Sequence, residues 1–189
     1  QRLLRRGAIT NLAKMLARMH PADIANVIDH LSSQKEKREI FELVRGDVKR
    51  GQVLSELDGE SITLVLSDLL PSDAAWLLKD LGSDDIAHIL SVIPNDRAKE
   101  ILALMRTEDS TEIADLLKYP KGTAGGIMTT EFFALFEDAT AQEAIRRLQQ
   151  ATDAEMVFYI YVTDKEDRLV GVLSLRQLLT VPPATPLKN

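Results

Sequence analysis

The middle of the chain repeats a pattern of apolar positions with a period of 12 residues. Within each repeat, apolar side chains fall at positions i, i+1 and i+4, which is one face of an α-helix. In an unbroken helix a step of this length turns by about 120°, so the apolar face could not stay on one side. We therefore predict successive short helices. The three columns are Val65, Leu77, Ile89, Ile101 and Ile113; Leu66, Leu78, Leu90, Leu102 and Ala114; and Leu69, Leu81, Ile93, Met105 and Leu117.

Breaks in the helical pattern fall between the repeats, at Pro71, Gly82, Pro94 and the polar run 107–110. Polar residues beside these breaks are predicted to cap the helices that follow. Segments 20–31 and 35–44 supply earlier helices, so the pattern indicates an array of stacked helical hairpins. Arrays of this kind usually present binding surfaces and seldom carry active sites. The predicted caps are Ser72, Ser83, Asn95 and Ser110.

The last third of the chain changes to β-rich runs separated by helical periodicity. Thr140 is predicted to cap a helix, because Glu143 follows three residues later. The polar segment 164–168 is predicted to form a hairpin turn between two strands. The resulting order is βαββα, with strands predicted at 132–136, 158–162 and 169–173 and helices from Thr140 and over 175–181.

Charge is divided unevenly along the sequence. Residues 1–50 carry 11 basic and 6 acidic side chains, residues 51–118 carry 5 and 14, and residues 119–189 carry 7 and 9. The net charges of these segments are therefore +5, −9 and −2. The acidic middle segment would repel nucleic acid and attract cations, so we expect no nucleic-acid partner for it. A solubilising acidic surface is the alternative interpretation.

Composition narrows the possible functions. The chain of 189 residues is 45% hydrophobic, which is enough for a real core, and it contains no cysteine, which excludes disulfides and thiol chemistry. No run approaches the roughly 20 apolar residues of a membrane-spanning helix, so we expect the chain itself to be soluble. His20, His30 and His88 are too scattered for a zinc site. Without a catalytic pattern, we do not expect an enzyme.

Three motifs in the last third occur together and in order: GTAGGIMTTEF at 122–132, YIYVTD at 159–164 and RLVGVLSLRQLL at 168–179. They resemble the first CBS domain of MgtE-type magnesium transporters, whose helical superhelix precedes paired CBS domains. The resemblance covers 119–181 strongly and 20–118 more loosely. It implies an α+β chain in which residues 1–118 form an all-α superhelical array and residues 119–189 form a single CBS unit, one half of a pair.

Magnesium prefers oxygen ligands and retains several waters, so one or two carboxylates can suffice. Asp96 and Glu100 lie four residues apart at a predicted helix start and would project from one face. The resemblance implies that they help to bind Mg²⁺ between the helical domain and the CBS region, where the backbone at Gly126 can add an oxygen. An acidic residue favoured by the helix dipole is the alternative. Further candidates are Asp84 with Asp85, and Glu108 with Asp109.

CBS units often bind adenosine nucleotides through a Ser or Thr three residues before an Asp. Ser174 occupies the hydroxyl position, but Gln177 stands where the resemblance expects the Asp. The binding cleft also needs a second CBS unit. Both points weigh against nucleotide binding by this chain alone.

The resemblance implies a regulatory function. We expect the cytosolic, magnesium-sensing portion of a magnesium transporter, in which cations bridge the acidic helical domain and the CBS region and favour a closed pore. We also expect a homodimer at the cytoplasmic face of the membrane, with a second CBS unit and a transmembrane domain after Asn189. The alternative is a CBS-containing binding module for an adenosine nucleotide or a protein partner.

Overall fold

A computed structural model of the chain describes residues 9–150 and 158–188. The chain divides into two compact units, Gln1–Met128 and Thr129–Asn189. The first is helical, and the second combines a three-stranded sheet with helices, which confirms the predicted α+β class. The chain is divided between Met128 and Thr129, whereas the sequence predicted a domain boundary after Lys118.

The helical unit contains nine helices among its described residues, and successive helices begin 12 or 13 residues apart. A repeat of 12 or 13 residues therefore extends over all nine of these helices, beyond the segments that the sequence pattern indicated. The helices are α1 (Ile9–Arg18), α2 (Pro21–Asp29), α3 (Gln34–Leu43), α4 (Asp47–Ser55), α5 (Gly59–Asp68), α6 (Pro71–Leu78), α7 (Ser83–Val92), α8 (Asn95–Leu102) and α9 (Thr107–Leu116).

Alternate helices pack against each other and so form two rows. One row runs α1, α3, α5, α7, α9, and the other runs α2, α4, α6, α8. Because the helices repeat at a nearly constant spacing, we expect the same repeat position to be buried each time. The column formed by Val65, Leu77, Ile89, Ile101 and Ile113 is at most 5% exposed throughout, as predicted.

The helix caps differ from the prediction. Helices α6 to α9 begin after Leu70, Gly82, Pro94 and Arg106, and none of these residues makes a side-chain capping hydrogen bond. The prediction that Ser72, Ser83, Asn95 and Ser110 cap them was wrong, because all four lie inside the helices. Acidic side chains in the first turns compensate the helix dipoles instead.

Helix α4 was missed by the sequence pattern because Gly51 lies in its interior, and glycine lowers helix propensity by about 1 kcal/mol. The structure explains why glycine occupies this position. A Cβ at position 51 would lie 2.6 Å from the carbonyl oxygen of Leu77 in α6. Glycine therefore permits the close packing of α4 on α6.

Two basic side chains cap helices other than their own. The Lys49 ammonium donates to the carbonyl oxygens of Leu16, Ala17 and Met19 at 3.0, 3.2 and 2.6 Å, at the end of α1. The Arg97 guanidinium donates to the carbonyl oxygens of Leu66 and Leu69 at the end of α5. Both cations satisfy carbonyls that a helix end leaves without partners.

The second unit confirms the predicted βαββα order. Strands β1 (Ala134–Phe136) and β2 (Tyr159–Thr163) pair in parallel, and β2 pairs antiparallel with β3 (Leu169–Ser174). Helices α10 (Ala141–Gln150) and α11 (Leu175–Thr180) complete the unit. As predicted, the Thr140 hydroxyl accepts a hydrogen bond from the Glu143 backbone N–H.

The sheet has one buried and one exposed face. Leu135, Ile160 and Val162 belong to the core of the second unit, together with residues of both helices. Tyr159 and Tyr161 alternate with them along β2 and are 58% and 37% exposed. Val172, the register partner of Tyr161, is also exposed. An apolar strip thus lies on the open face of this unit.

Candidate functional site

Acidic residues occupy the first turn of every described helix from α2 to α9, whereas α1 has none there. A carboxylate at this position stabilises the helix through its dipole. The pattern alone therefore does not single out Asp96 of α8 as a ligand. Helices α7 and α9 differ from the others because each carries two such residues, Asp84 with Asp85 and Glu108 with Asp109.

Asp96 and Glu100 both lie on the exposed surface of α8. The Glu100 carboxylate is 3.3 Å from the Arg97 guanidinium, which the end of α5 holds in place. Among the described residues, Asp96 makes no hydrogen bond or ion pair. On this face the Asp96 carboxylate is therefore available to a cation, whereas the Glu100 carboxylate already pairs with the Arg97 guanidinium.

A cavity of about 500 Å³ lies within the helical unit, between α7, α8 and the segment 119–128 that follows α9. Asp84 and Gly126 both line it, so the structure brings these two predicted site residues together. Asp85 is exposed on α7, and the described lining includes neither it nor Asp96 or Glu100. Polar residues that the sequence did not indicate also line the cavity: His88, Asn95, Tyr119 and Lys121.

Segment 119–128 forms a tight turn that depends on Gly126. The Thr123 hydroxyl donates to the Pro120 carbonyl at 2.7 Å, and the Gly126 N–H donates to the Thr123 carbonyl at 3.0 Å. A Cβ at position 126 would lie 2.5 Å from the Pro120 carbonyl oxygen. A side chain at this position would therefore displace the backbone that borders the cavity.

The carboxylates of the helical unit are the candidate ligands for a metal ion. Within the described ranges, no three His, Asp or Glu side chains come close enough together to hold a metal ion. Mg²⁺ keeps several waters and often uses only one or two protein carboxylates. Asp84 is half-buried at the cavity edge and Asp96 is exposed on α8, so each could supply one such carboxylate, whereas a closed cage of protein ligands does not fit the described part of the chain.

In the second unit, Ser174 and Gln177 exchange hydrogen bonds between side chain and backbone at the start of α11. The Ser174 hydroxyl accepts from the Gln177 N–H at 3.2 Å, and the Gln177 side-chain oxygen accepts from the Ser174 N–H at 2.8 Å. These bonds form a capping box. The cavity beside Gln177 measures about 30 Å³, which is far smaller than a nucleotide.

The family model described as "MgtE intracellular N domain" matches residues 19–122, which is more than half of the chain. The chain belongs to the MgtE family. The CBS domain model matches residues 124–187. Both matches agree with the observed helical array and βαββα unit. No helix in the described ranges is long and apolar enough to cross a membrane.

Two solved structures share the fold of the whole chain. The cytosolic domain of the Mg²⁺ channel MgtE in complex with ATP matches with a TM-score of 0.84 and 32% identity, over 100% of this chain and 77% of that chain. The soluble part of a magnesium transporter matches with a TM-score of 0.77 and 26% identity, over 99% of this chain and 73% of that chain.

Curated relatives carry the name magnesium transporter MgtE. The protein from Thermus thermophilus is 48% identical over 71 residues, which are 37% of this chain and 16% of the relative. The protein from Bacillus subtilis is 28% identical over 182 residues, which are 96% of this chain and 40% of the relative. The chain thus spans well under half the length of the curated MgtE relatives that it matches.

Proposed function

We propose that this chain is the cytosolic regulatory portion of a magnesium transporter and that it responds to Mg²⁺. Membership of the MgtE family carries the proposal, because relatives over both units are named for magnesium transport. The net charge of −9 on residues 51–118 supports a cation as the regulatory ligand. Repulsion among these carboxylates decreases when a divalent cation binds.

The residues proposed to hold the ion are Asp96, Glu100, Asp84 and Asp85, with a backbone oxygen at Gly126. Asp84 and Gly126 border one cavity, and Asp96 offers an available carboxylate on the adjacent helix. One or two of these carboxylates would bind the ion directly, while water completes its coordination. The ion favours the closed pore only if it binds the compact arrangement of the acidic helical unit and the CBS unit more tightly than the open one.

A thermal-unfolding titration with MgCl₂ tests this proposal, with NaCl of matched ionic strength as the reference. At a magnesium concentration of about ten times Kd, binding to the folded state should raise the melting temperature by about 3–6 °C. Asp84→Asn, and separately Asp96→Asn with Glu100→Gln, should each reduce this shift. The comparison of the two variants identifies which carboxylates bind the ion.

Glu60→Gln with Asp73→Asn is the matched control, since both residues are first-turn carboxylates of helices outside the cavity. This variant should retain the full magnesium shift. An equal loss of the shift in control and site variants would show that magnesium only screens the acidic surface. No shift in the unmodified chain would refute magnesium binding by these units.

The proposed partners are a second CBS unit, a transmembrane domain and a second copy of the protein. The exposed apolar strip of Tyr159, Tyr161 and Val172 supports a pairing surface on the sheet, because such strips are usually covered. We propose that the second CBS unit covers it. Charged substitution of Tyr161 should then weaken association with a CBS unit supplied separately, measured by analytical ultracentrifugation.

A second candidate function is adenosine nucleotide binding, because the related cytosolic domain was solved in complex with ATP. Titration of the chain with ATP by calorimetry tests it. If the CBS unit binds the nucleotide, Gln177→Ala should weaken binding. If the heat released on adding ATP equals the heat of adding buffer, the chain does not bind ATP. The magnesium-responsive function would then be the proposal for this chain.

A further inference from the structure

The Arg97 guanidinium of α8 is fixed against the end of α5. Its Nη2 atom donates to the Leu66 carbonyl at 3.2 Å and to the Leu69 carbonyl. Its Nε atom is buried, and the side chain as a whole is 22% exposed. A guanidinium keeps its charge throughout the pH range in which proteins fold. A permanent positive charge is therefore held at one place on α8.

This charge lies beside the carboxylates proposed to hold the ion. The Arg97 Nη1 atom is 3.3 Å from the Glu100 Oε2 atom, and Asp96 directly precedes Arg97 in the sequence. The Glu100 side chain is 59% exposed. Among the described residues it pairs with Arg97 alone. Glu100 can therefore turn toward another cation without losing any further contact.

The pair between Arg97 and Glu100 acts more strongly on a cation than on folding. An exposed ion pair contributes little to stability. A divalent ion and a guanidinium about 6 Å apart repel each other enough to weaken ion binding about tenfold in water and about threefold to fourfold at about 0.1 M salt. Arg97 thus opposes an ion at Glu100 in two ways, because it occupies the carboxylate and repels the ion.

We infer that Arg97 is an internal competitor of the ion on α8 and sets the magnesium concentration at which this helix responds. The inference rests on the proposed function, since it concerns the ion proposed there. Ion binding turns Glu100 from the guanidinium to the cation, while the carbonyls of α5 keep Arg97 in place. A fixed competitor lowers the affinity without removing a ligand, so α8 responds only when Mg²⁺ is abundant.

An NMR titration of the isotope-labelled chain with MgCl₂ at constant ionic strength tests the inference. The amide signals of 96–100 give the Kd of the ion on α8, and they report on the folded chain alone, so a lost α5 cap does not affect the value. Arg97→Gln should lower this Kd by about threefold to tenfold. Arg97→Lys keeps the positive charge and should leave the Kd within about twofold of the original value.

The unmodified chain supplies a readout that needs no change at Arg97. Its Nε–H signal should shift during the titration with the same Kd as the α8 amides, because Glu100 leaves the guanidinium. In Glu100→Gln, which does not alter the α5 cap, this signal should stay in place. Arg97→Gln should also change the Kd less in the Glu100→Gln chain than in the unmodified one, since the pair is already absent there.

Lys14→Gln is the matched control, because it removes the same charge from an exposed position on α1. It should leave the Kd unchanged. Equal tightening by Lys14→Gln and Arg97→Gln would overturn the inference, since net charge would then account for the effect. So would an unchanged Kd in Arg97→Gln, or a missing response in α8 alone, and both results would leave the proposed function standing. No response in any amide signal of any variant would refute the proposed function as well.

Discussion

At the start of α5, the Asp58 carboxylate accepts a hydrogen bond from the Ser61 backbone N–H at 2.7 Å. This hydrogen bond is the main reason why the pKa of Asp58 lies below its reference value of 3.8. The ammonium of Lys37, which is only 6% exposed, donates to the Ser61 hydroxyl and also favours the charged carboxylate. A single cap thus links α5 to a buried cation of α3.

Stability should depend on pH through Asp58. Because its pKa is lowered by folding, the charged carboxylate stabilises the protein above pH 3.8, and this contribution is lost as pH falls through the folded-state pKa. Asp58→Asn keeps an accepting oxygen but no charge. The difference in unfolding free energy between the unmodified chain and this variant should therefore decrease toward acid in urea titrations.

Asp58→Ala supplies the comparison for the cap itself. It should cost about 1 kcal/mol at neutral pH, because the N–H donors at the start of α5 lose their acceptor. A pH-independent difference between the unmodified chain and Asp58→Asn would contradict the role of the charge.

Gly51 should be intolerant of a methyl group although alanine is the better helix former. Gly51→Ala places a Cβ 2.6 Å from the Leu77 carbonyl oxygen, so the unfolding free energy should fall by about 1–2 kcal/mol. Urea denaturation measures the change. Gly59→Ala is the control: its Cβ would lie at an ordinary 3.5 Å from Val92, and stability should be unchanged or higher.

Among the elements, α1 depends on a side chain from α4. Lys49 reaches three carbonyl oxygens at the C-terminal end of α1. Lys49→Met keeps the aliphatic stem but removes these hydrogen bonds and should cost about 1.5–3 kcal/mol. Hydrogen exchange should show the loss of protection first in α1.

Lys35→Met provides the control for Lys49→Met, because the Lys35 side chain is 85% exposed and pairs with Glu39 on its own helix. It should leave the protection of α1 unchanged. Equal loss of protection in both variants would show that α1 does not depend on its cap.

The helices differ in how far the sequence determined them. The column from Val65 to Ile113 predicted α5 to α9, because a repeated apolar face requires a repeated helix. The sequence pattern did not predict helices α1 and α4. In α4 the interior Gly51 contradicts local propensity, and only its contact with Leu77 accounts for it. The prediction that serines cap these helices failed because the helices begin earlier: α6 begins at Pro71, and α7 begins directly after Gly82.

At the scale of the whole molecule, each unit has its own hydrophobic core among the described residues. Ile101 is fully buried in the helical unit and Ile160 in the sheet unit. Ile101→Ala and Ile160→Ala should each cost about 2–5 kcal/mol in the unit that contains them. Hydrogen exchange resolved by peptide should report the loss in that unit alone; equal loss in both units would show that they unfold as one.

The candidate site was only partly accessible from the sequence. The spacing of Asp96 and Glu100 predicted a shared helix face, and both are indeed exposed on α8. The ion pair between Glu100 and Arg97 could not be foreseen, because Arg97 is held by α5, some 30 residues earlier in the chain. The cavity shared by Asp84 and Gly126 depends on the turn of segment 119–128 against α7 and α8.

The sequence by itself determined the repeated helices, the βαββα unit and the acidic middle segment, because periodicity and charge are local properties of the chain. The tertiary structure decided which helices pair, which glycine allows close packing, and which carboxylates are left available for a cation. These outcomes depend on contacts between residues 24 or more positions apart. No local pattern specifies such contacts, since they form only when alternate helices pack into their two rows.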